Sequence, residues 1–437
     1  MNKKLTFSPI ISIIVLACIT KIVSMASRII LNRELGLEAV SIFSLINPIF
    51  VFAITLATFS LPTVLSTLIA KQPNNAKKIF LSSLLIALIL NTLFVLIILL
   101  FSEQIALYLL HNIDTIYCIK LLAIVVPLTT ISSIIKGYYM GKNEIILTSE
   151  SSLIEELTRF ISTILLISFF NDFTSNIKAT FFVLVMIIGE IIQTSYLLLS
   201  SGTKYMKNMA KIKGIFDIDR ISMKQVLKLS LPLTTSRIIT SFTYMLEPII
   251  ITSLIVYYQK NSNDLMLDYG VISSYVMPLL LFPGFFSNAI SNNLLPNISK
   301  TIENKHYMES KKQFNNALTL CFFIGAFFSF VFLLFGDYIL YTIYHIDQGL
   351  NEIKLLSLPF IIYYIESPIN ITMHALNKSK EAFKSSLFAA IIRIILLLIT
   401  FKSFNINALC IATLAACYLD VAINYLHIRS FFKRNNV

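Results

Sequence analysis

The sequence predicts an all-α polytopic membrane protein of about twelve transmembrane helices, arranged as two six-helix lobes. Three observations carry that prediction. Of the 437 residues 56% are hydrophobic and only 13% charged, with a mean hydropathy of +0.79, far from the balance of a soluble domain. Apolar stretches recur at lengths of about 18 to 30 residues, enough for a helix to cross a hydrocarbon core of roughly 30 Å while satisfying its own backbone groups. The basic residues segregate between alternate loops.

Taken in order, the spans of the first half lie near 5–31, 40–69, 79–101, 119–140, 145–170 and 179–201. The second half repeats the count near 226–258, 269–298, 314–336, 353–376, 385–401 and 407–428. The first span starts after Lys3 and Lys4 and resembles a signal peptide, but its apolar run is too long and lacks a small-x-small cleavage site, so it reads as a membrane helix. The most polar and basic stretch divides the spans six and six. The predicted organisation is therefore a lobe over 1–201, a cytoplasmic linker over 202–224 and a second lobe over 225–437.

The net charge of +12 raises the question of nucleic acid, and the placement of the charge answers it. With loops numbered alternately from a cytoplasmic N-terminus, 24 of the 35 Lys and Arg fall inside, 6 outside and 5 within spans, with Lys136 counted among the inside loop charges. This is the positive-inside pattern, and it leaves no basic stripe with stacking aromatics for nucleic acid. Both termini are expected in the cytoplasm. Five scattered cysteines and five histidines show neither a disulfide framework nor metal-ligand spacing.

Shifting the sequence by 234 positions aligns Leu61 to Leu122 with Leu295 to Leu356 without a gap, with 18 identities over 62 positions. Leu61-Pro62, Lys71, Lys77, Lys78 and His111 meet Leu295-Pro296, Lys305, Lys311, Lys312 and His345. Apolar bias does not explain matched Pro, His and Lys, so the chain carries an internal duplication. An even number of helices per copy keeps both copies in one orientation, related by a pseudo-two-fold axis along the membrane normal, with the substrate expected between the lobes.

An ionisable side chain at mid-membrane costs about 2.5 to 3.5 kcal/mol, so each such residue is a candidate for function. Lys21 and Arg28 share one face of the first span, about 10 Å apart along the axis, and that span has no acid. Thr20-Lys21-Ile22 resembles Ser236-Arg237-Ile238 of the seventh. These three cations, with Arg159 and Arg393, are the candidate substrate-binding residues. Glu155, Glu247, Glu366 and Asp420 are the candidate coupling or charge-pairing acids. The structural alternative stands beside each: Glu155 and Arg159 have the i,i+4 spacing of a helical ion pair, and Asp420 reads equally as a coupling-ion site or a packing partner. A chamber lined by cations suits an anionic cargo, because guanidinium forks grip phosphate oxygens. Nine span prolines, Pro48 to Pro368, are expected to bend their helices.

Three stretches resemble the multidrug/oligosaccharidyl-lipid/polysaccharide flippase superfamily. They are Ile19-Thr20-Lys21-Ile22 through Ser27-Arg28 to Leu35-Gly36, Leu229-Ser230-Leu231-Pro232 through Arg237 to Glu247-Pro248, and Tyr269-Gly270 through Met277-Pro278 to Asn297-Ile298-Ser299. Ser60 stands where relatives often have Gly before Leu-Pro. The resemblance implies alternating access between two lobes and a cationic cavity for lipid-linked saccharides of the undecaprenyl-pyrophosphate type, such as a peptidoglycan precursor for the spore cortex. Lys21 and Arg28 match cavity positions of the lipid II flippase branch. No cofactor is expected beyond a coupling Na+ or H+ or the membrane potential. A cation-coupled multidrug exporter of the same fold is the alternative, although it calls for an acid in the first span. A membrane polysaccharide polymerase or ligase is a third reading, and it needs a catalytic constellation in a sizeable outer loop; the outer loops near 102–118 and 336–352 read instead as interfacial helices or caps.

Overall fold

The computed structural model describes residues 8–170, 172–200 and 220–435. The chain forms two compact units, Met1–Ile249 and Ile250–Val437. Of the expected linker, residues 202–219 lie outside the described residues.

In the first unit α1 (Ser8–Leu35) runs through a turn at Gly36, whose φ of 83° favours glycine, into α2 (Leu37–Thr58). The second span then breaks and continues as α3 (Leu61–Lys71). Next come α4 (Ala76–Gln104), α5 (Ile116–Gly141), α6 (Ile145–Leu166) and α7 (Ser175–Ser200), followed by α8 (Arg220–Tyr257), which carries the chain into the second unit. There α9 (Ser262–Val271), a π-helical turn (Ile272–Val276), α10 (Met277–Leu281) and α11 (Gly284–Glu303) make up the eighth span. The rest is α12 (Tyr307–Tyr344), α13 (Leu350–Ser357) with α14 (Ile361–Ala375), α15 (Ser379–Phe404) and α16 (Asn407–Arg434).

Ten of these helices are long and apolar enough to cross a membrane, and the pair α13 and α14, bent by 51°, makes an eleventh. The twelfth expected span is α6, which fails that test on composition because Glu150, Glu155, Glu156 and Arg159 all lie on it. Its charges find partners inside the unit, as a polar residue in a spanning helix must. The protein is thus a multi-span helical membrane protein.

The expected caps between the spans are short. A π turn (Ile105–Leu109) and a 3-10 turn (Ile113–Thr115) fill the first, while α12 runs on to Tyr344 and leaves little more than His345 to Gly349 for the second. Of the nine prolines, Pro62, Pro283 and Pro359 stand at helix breaks and Pro278 in the first turn of α10, whereas Pro48, Pro232, Pro248, Pro296 and Pro368 lie inside continuous helices.

The duplication extends well past the 62 aligned positions. Shifted by 234, α5 spans the same positions as α13 with α14, and α6 starts where α15 does. His111 and His345 are both left-handed, at φ of 46° and 55°, and so are Asn143 and Asn377, at 67° and 56°. Lys120 pairs with Glu103 at 3.6 Å in one unit, and Lys354 pairs with Asp337 at the equivalent positions of the other. Thr130 donates to Asn91 at 3.3 Å, and the equivalent Tyr364 lays its ring over Gly325, where an added Cβ would sit 2.6 Å from the ring.

Each unit is built around one helix. In the first, α5 packs against α2, α3, α4 and α7; in the second, α14 packs against α11, α12 and α16. The approach of α3 to α5 is close enough that a Cβ on Gly137 would meet the Pro62 carbonyl oxygen at 2.6 Å. Leu61, Val64, Leu65, Leu68 and Ile69 fill that contact.

Candidate functional site

The charges of α6 gather a polar cluster in the middle of the first unit. Arg159 pairs through Nη2 with Glu155 one turn back, and the same nitrogen lies 3.6 Å from Glu190 Oε1 on α7. Its Nη1 reaches Glu156 Oε1 at 3.4 Å. Lys136 of α5 places Nζ 3.6 Å from Glu155 Oε2 and donates to Ser152 Oγ at 3.1 Å. Ser132, one turn earlier, donates to Glu190 Oε2 at 2.7 Å. Gln193 donates through Nε2 both to Glu155 Oε2 and to the Ser151 carbonyl. Three carboxylates thus face two cations, all on buried or half-buried side chains. Gly189 makes room for them, since a Cβ there would lie 2.7 Å from Arg159 Cγ.

Sequence spacing predicted the Glu155–Arg159 contact. It misplaced Lys136, which belongs not to a loop but to the interior of α5, where it holds Glu155. The four-carbon stem crosses apolar surface while the ammonium reaches an acid on the next helix.

Beside the cluster is a cavity of about 190 Å³ whose polar lining is Ser24, Ser27, Arg28, Asn32, Asn47, Glu156 and Arg159. Phe43 and Phe182 line it too, stacked with centroids 4.6 Å apart and planes within 10°. Arg28 and Arg159 therefore share one space. Ser24 hydrogen-bonds Glu156, and the Lys21 charge also acts on that carboxylate. The expected span 5–31 has no acid, and α1 adds only Glu34 in its last turn, beside Arg33, but the neighbouring α6 supplies one to the cavity. Lys21 is exposed and Arg28 half-buried.

Arg237 is exposed on α8 and donates through Nη2 to Thr63 Oγ1 on α3 at 3.4 Å. Farther along α8, Asn47 donates to the Tyr244 hydroxyl at 3.5 Å and Glu247 is buried.

The second unit holds a cluster of different composition at related positions. Asp420 accepts from Ser385 Oγ at 2.8 Å and from Ser386 Oγ at 3.1 Å. Glu366 accepts from Asn370 at 3.3 Å and from the Cys417 thiol at 3.7 Å, and Asn424 donates to Asn370 at 3.0 Å. Asn370 and Asn424 stand 234 residues after Lys136 and Glu190, and Arg393 stands 234 after Arg159. A cavity of about 280 Å³ opens on Glu366, lined also by Ser287, Asn288, Tyr363, Asn370 and His374. Arg393 is half-buried on α15. The structure thus joins Arg28 with Arg159, Arg159 with Glu155, and Arg237 with Thr63; Glu366 and Asp420 share the second unit's polar core. The repeat offset of 234 was the available signal for Asn370 and Asn424.

Residues 8–302 match the family model described as polysaccharide biosynthesis protein. Stage V sporulation protein B of Bacillus subtilis (strain 168) is 26% identical, over 98% of this chain and 83% of its own length. Sporulation protein YkvU of the same organism is 21% identical, over 90% and 86%. Among solved structures, an inward-facing multidrug resistance MATE family transporter of the MOP superfamily superposes with a TM-score of 0.78 at 12% identity, over 97% of this chain and 99% of the other. The lipid II flippase MurJ in an inward closed conformation gives 0.73 at 18% identity, over 96% and 87%. The fold is that of these transporters, and the chain belongs to the polysaccharide biosynthesis protein family.

Proposed function

We propose that the protein is an alternating-access flippase that carries a lipid-linked oligosaccharide or peptidoglycan precursor of the undecaprenyl-pyrophosphate type across the bacterial cytoplasmic membrane, with both termini in the cytoplasm. The observation that carries this reading is the cavity beside α1, which presents the Arg28 guanidinium together with Ser and Asn side chains and a stacked aromatic pair, with the paired Arg159 and Glu156 in its wall. Guanidinium groups supply charge-assisted hydrogen bonds to phosphate oxygens, amides and hydroxyls suit sugar hydroxyls, and the aromatic pair suits an apolar surface. The names of the sporulation relatives support a role in sporulation, for which spore cortex synthesis is the reading, and the lipid II flippase fold supports a lipid-linked cargo.

In this reading Lys21, Arg28 and Arg237 bind the anionic cargo, while Arg159 is held by three carboxylates and positions the cavity wall. Arg393 is the counterpart of Arg159 in the second unit. Glu366 and Asp420 are the acids through which Na+ or H+ couples to transport, Glu155 pairs with Arg159, and Glu247 of α8 belongs with the coupling acids.

The test is reconstitution into liposomes with undecaprenyl-pyrophosphate-linked glycan, measuring exposure in the opposite leaflet with and without ion gradients. Arg28→Gln and Arg237→Gln are expected to abolish exposure at unchanged protein content. Unchanged exposure in both variants would reject the assignment of the cavity. Export of a cationic drug in the same vesicles would favour the multidrug reading, to which the buried carboxylates of the second unit lend themselves.

A further inference from the structure

The second span breaks at Phe59 and Ser60, both left-handed, with φ of 47° and 52°. Neither is glycine, so the backbone is strained there. The following Leu-Pro does not dictate the break: in the other repeat Leu295 and Pro296 lie inside the continuous helix α11. The break lies 11 residues from Lys71 at the far end of α3, or about 16 Å at the rise of an α-helix, close to half a hydrocarbon core.

A helix that starts inside a membrane exposes N–H groups that no preceding turn satisfies. Here Pro62 has none and that of Val64 bonds to the Ser60 carbonyl, which leaves those of Leu61 and Thr63 as donors. Two further observations point to a ligand. Ser60, at the N-cap of α3, is 1% exposed and its hydroxyl has no hydrogen-bond partner among the described residues. Thr63 Oγ1 accepts from Arg237 Nη2 and keeps its own proton to donate. From Thr63 the exposed face of α3 continues through Thr67 to Lys71, at intervals of four residues on one side of the helix. Its opposite face is packed apolar core. A Thr-Thr-Lys stripe beside an exposed Arg is costly against lipid and fits a wet path.

We infer that the break in the second span is a phosphate subsite, in which the first turn of α3, Ser60, Thr63 and Arg237 hold the diphosphate of an anionic amphiphile that reaches it along Thr67 and Lys71. The helix N-terminus supplies partial positive charge and donors, and Arg237 supplies the full charge. The inference rests on the flippase reading for its ligand and for Arg237, and adds to it a location, Ser60, Thr63 and the first turn of α3.

The experiment titrates the purified full-length chain in detergent with farnesyl pyrophosphate, with inorganic pyrophosphate as competitor and farnesol as a tail-only control. Thr63→Val keeps the shape and removes the hydroxyl. Ser60→Gly removes the other hydroxyl and suits the left-handed backbone, so it keeps the fold. Each is expected to weaken farnesyl pyrophosphate about tenfold, the equivalent of 1.4 kcal/mol, without changing farnesol binding or lowering the unfolding midpoint. Competition by inorganic pyrophosphate would mark a site that reads the diphosphate alone; its absence alongside the two losses would mark one that takes it only as a lipid headgroup. Full affinity in both variants together with loss in Arg28→Gln overturns the subsite and leaves the flippase reading standing. Full affinity in all three, or no binding by the unsubstituted chain, overturns both.

Discussion

Replacing Arg159 by Met keeps an unbranched stem of Cβ, Cγ and two further atoms and removes the guanidinium that faces Glu155, Glu156 and Glu190. The cluster then holds three carboxylates against Lys136 alone. At 3.6 Å, the Arg159–Glu190 separation, two unit charges interact by about 4.6 kcal/mol at an effective dielectric of about 20, and Glu155 is in closer contact still. These terms do not sum to a stability, because all four side chains retain some exposure, 18% for Arg159 and 5% for Glu190, and desolvation of the charges offsets the Coulombic gain. Breaking a buried ion pair on one side costs about 3 to 5 kcal/mol, and discounting for exposure brings the expected loss to about 3 kcal/mol. The assay follows from the composition: the chain has no Trp, but the thiols of Cys118, Cys321 and Cys410 are buried, so a thiol-reactive fluorogenic dye reports unfolding. The double variant Arg159→Met with Glu190→Gln removes one uncompensated charge and should recover at least about 1 kcal/mol, a coupling expected of contacting groups. If Arg159→Met unfolds at the same denaturant concentration as the unsubstituted protein, or if Glu190→Gln adds to its loss, the cluster is not the charge-balanced unit described.

Three further outcomes follow from the packing. Gly137→Ala gains about 0.5 to 1 kcal/mol of helix propensity but sets a Cβ 2.6 Å from the Pro62 carbonyl; a net loss of about 1 to 2 kcal/mol is expected from overpacking, and a raised unfolding midpoint would contradict the α3–α5 contact. Ser385→Ala with Ser386→Ala strips Asp420 of both hydroxyl donors and should cost about 2 to 4 kcal/mol, largely restored by adding Asp420→Asn; equal midpoints with and without that addition would show the carboxylate satisfied elsewhere. Asp337→Asn breaks an ion pair whose partners are 42% and 50% exposed and should change stability by less than about 1 kcal/mol; a larger shift in thermal unfolding would give that pair a role that its exposure denies it.

The spans were legible because a run of apolar residues is a local property, and even α6 was found despite its charges, because Ile145 to Phe170 is bounded by polar turns. The Glu155–Arg159 pair was legible for the same reason, as spacing along one helix fixes it. What escaped were the partners from other helices. Nothing near Lys136 in sequence says that its ammonium meets Glu155, nor that Ser132 serves Glu190, since those contacts are made by the crossing of α5, α6 and α7. The strained break at Ser60 escaped as well, although a serine where relatives often carry glycine was the one local sign of a left-handed position.

Duplication turns each unit into a control for the other, and the differences are more informative than the matches. Both copies keep the same left-handed caps and the same ion pair between equivalent positions, Glu103 with Lys120 and Asp337 with Lys354. Those features therefore answer to what the copies share, which is the fold. The breaks do not match: the first unit interrupts its second span and leaves Pro127 inside a continuous α5, while the second unit keeps α11 whole and bends by 51° between α13 and α14. The polar centres differ too, with Lys136 and Glu190 in one copy against Asn370 and Asn424 in the other. A protein-borne ammonium sits among the carboxylates of the first unit, whereas neutral amides stand at the equivalent positions of the second, beside Glu366. The shared bundle does not dictate that asymmetry, because each unit holds its buried polar groups with a different set of partners. The divergent positions, Lys136 and Glu190 against Asn370 and Asn424, are therefore the places to substitute in order to separate what the two units contribute to the proposed transport.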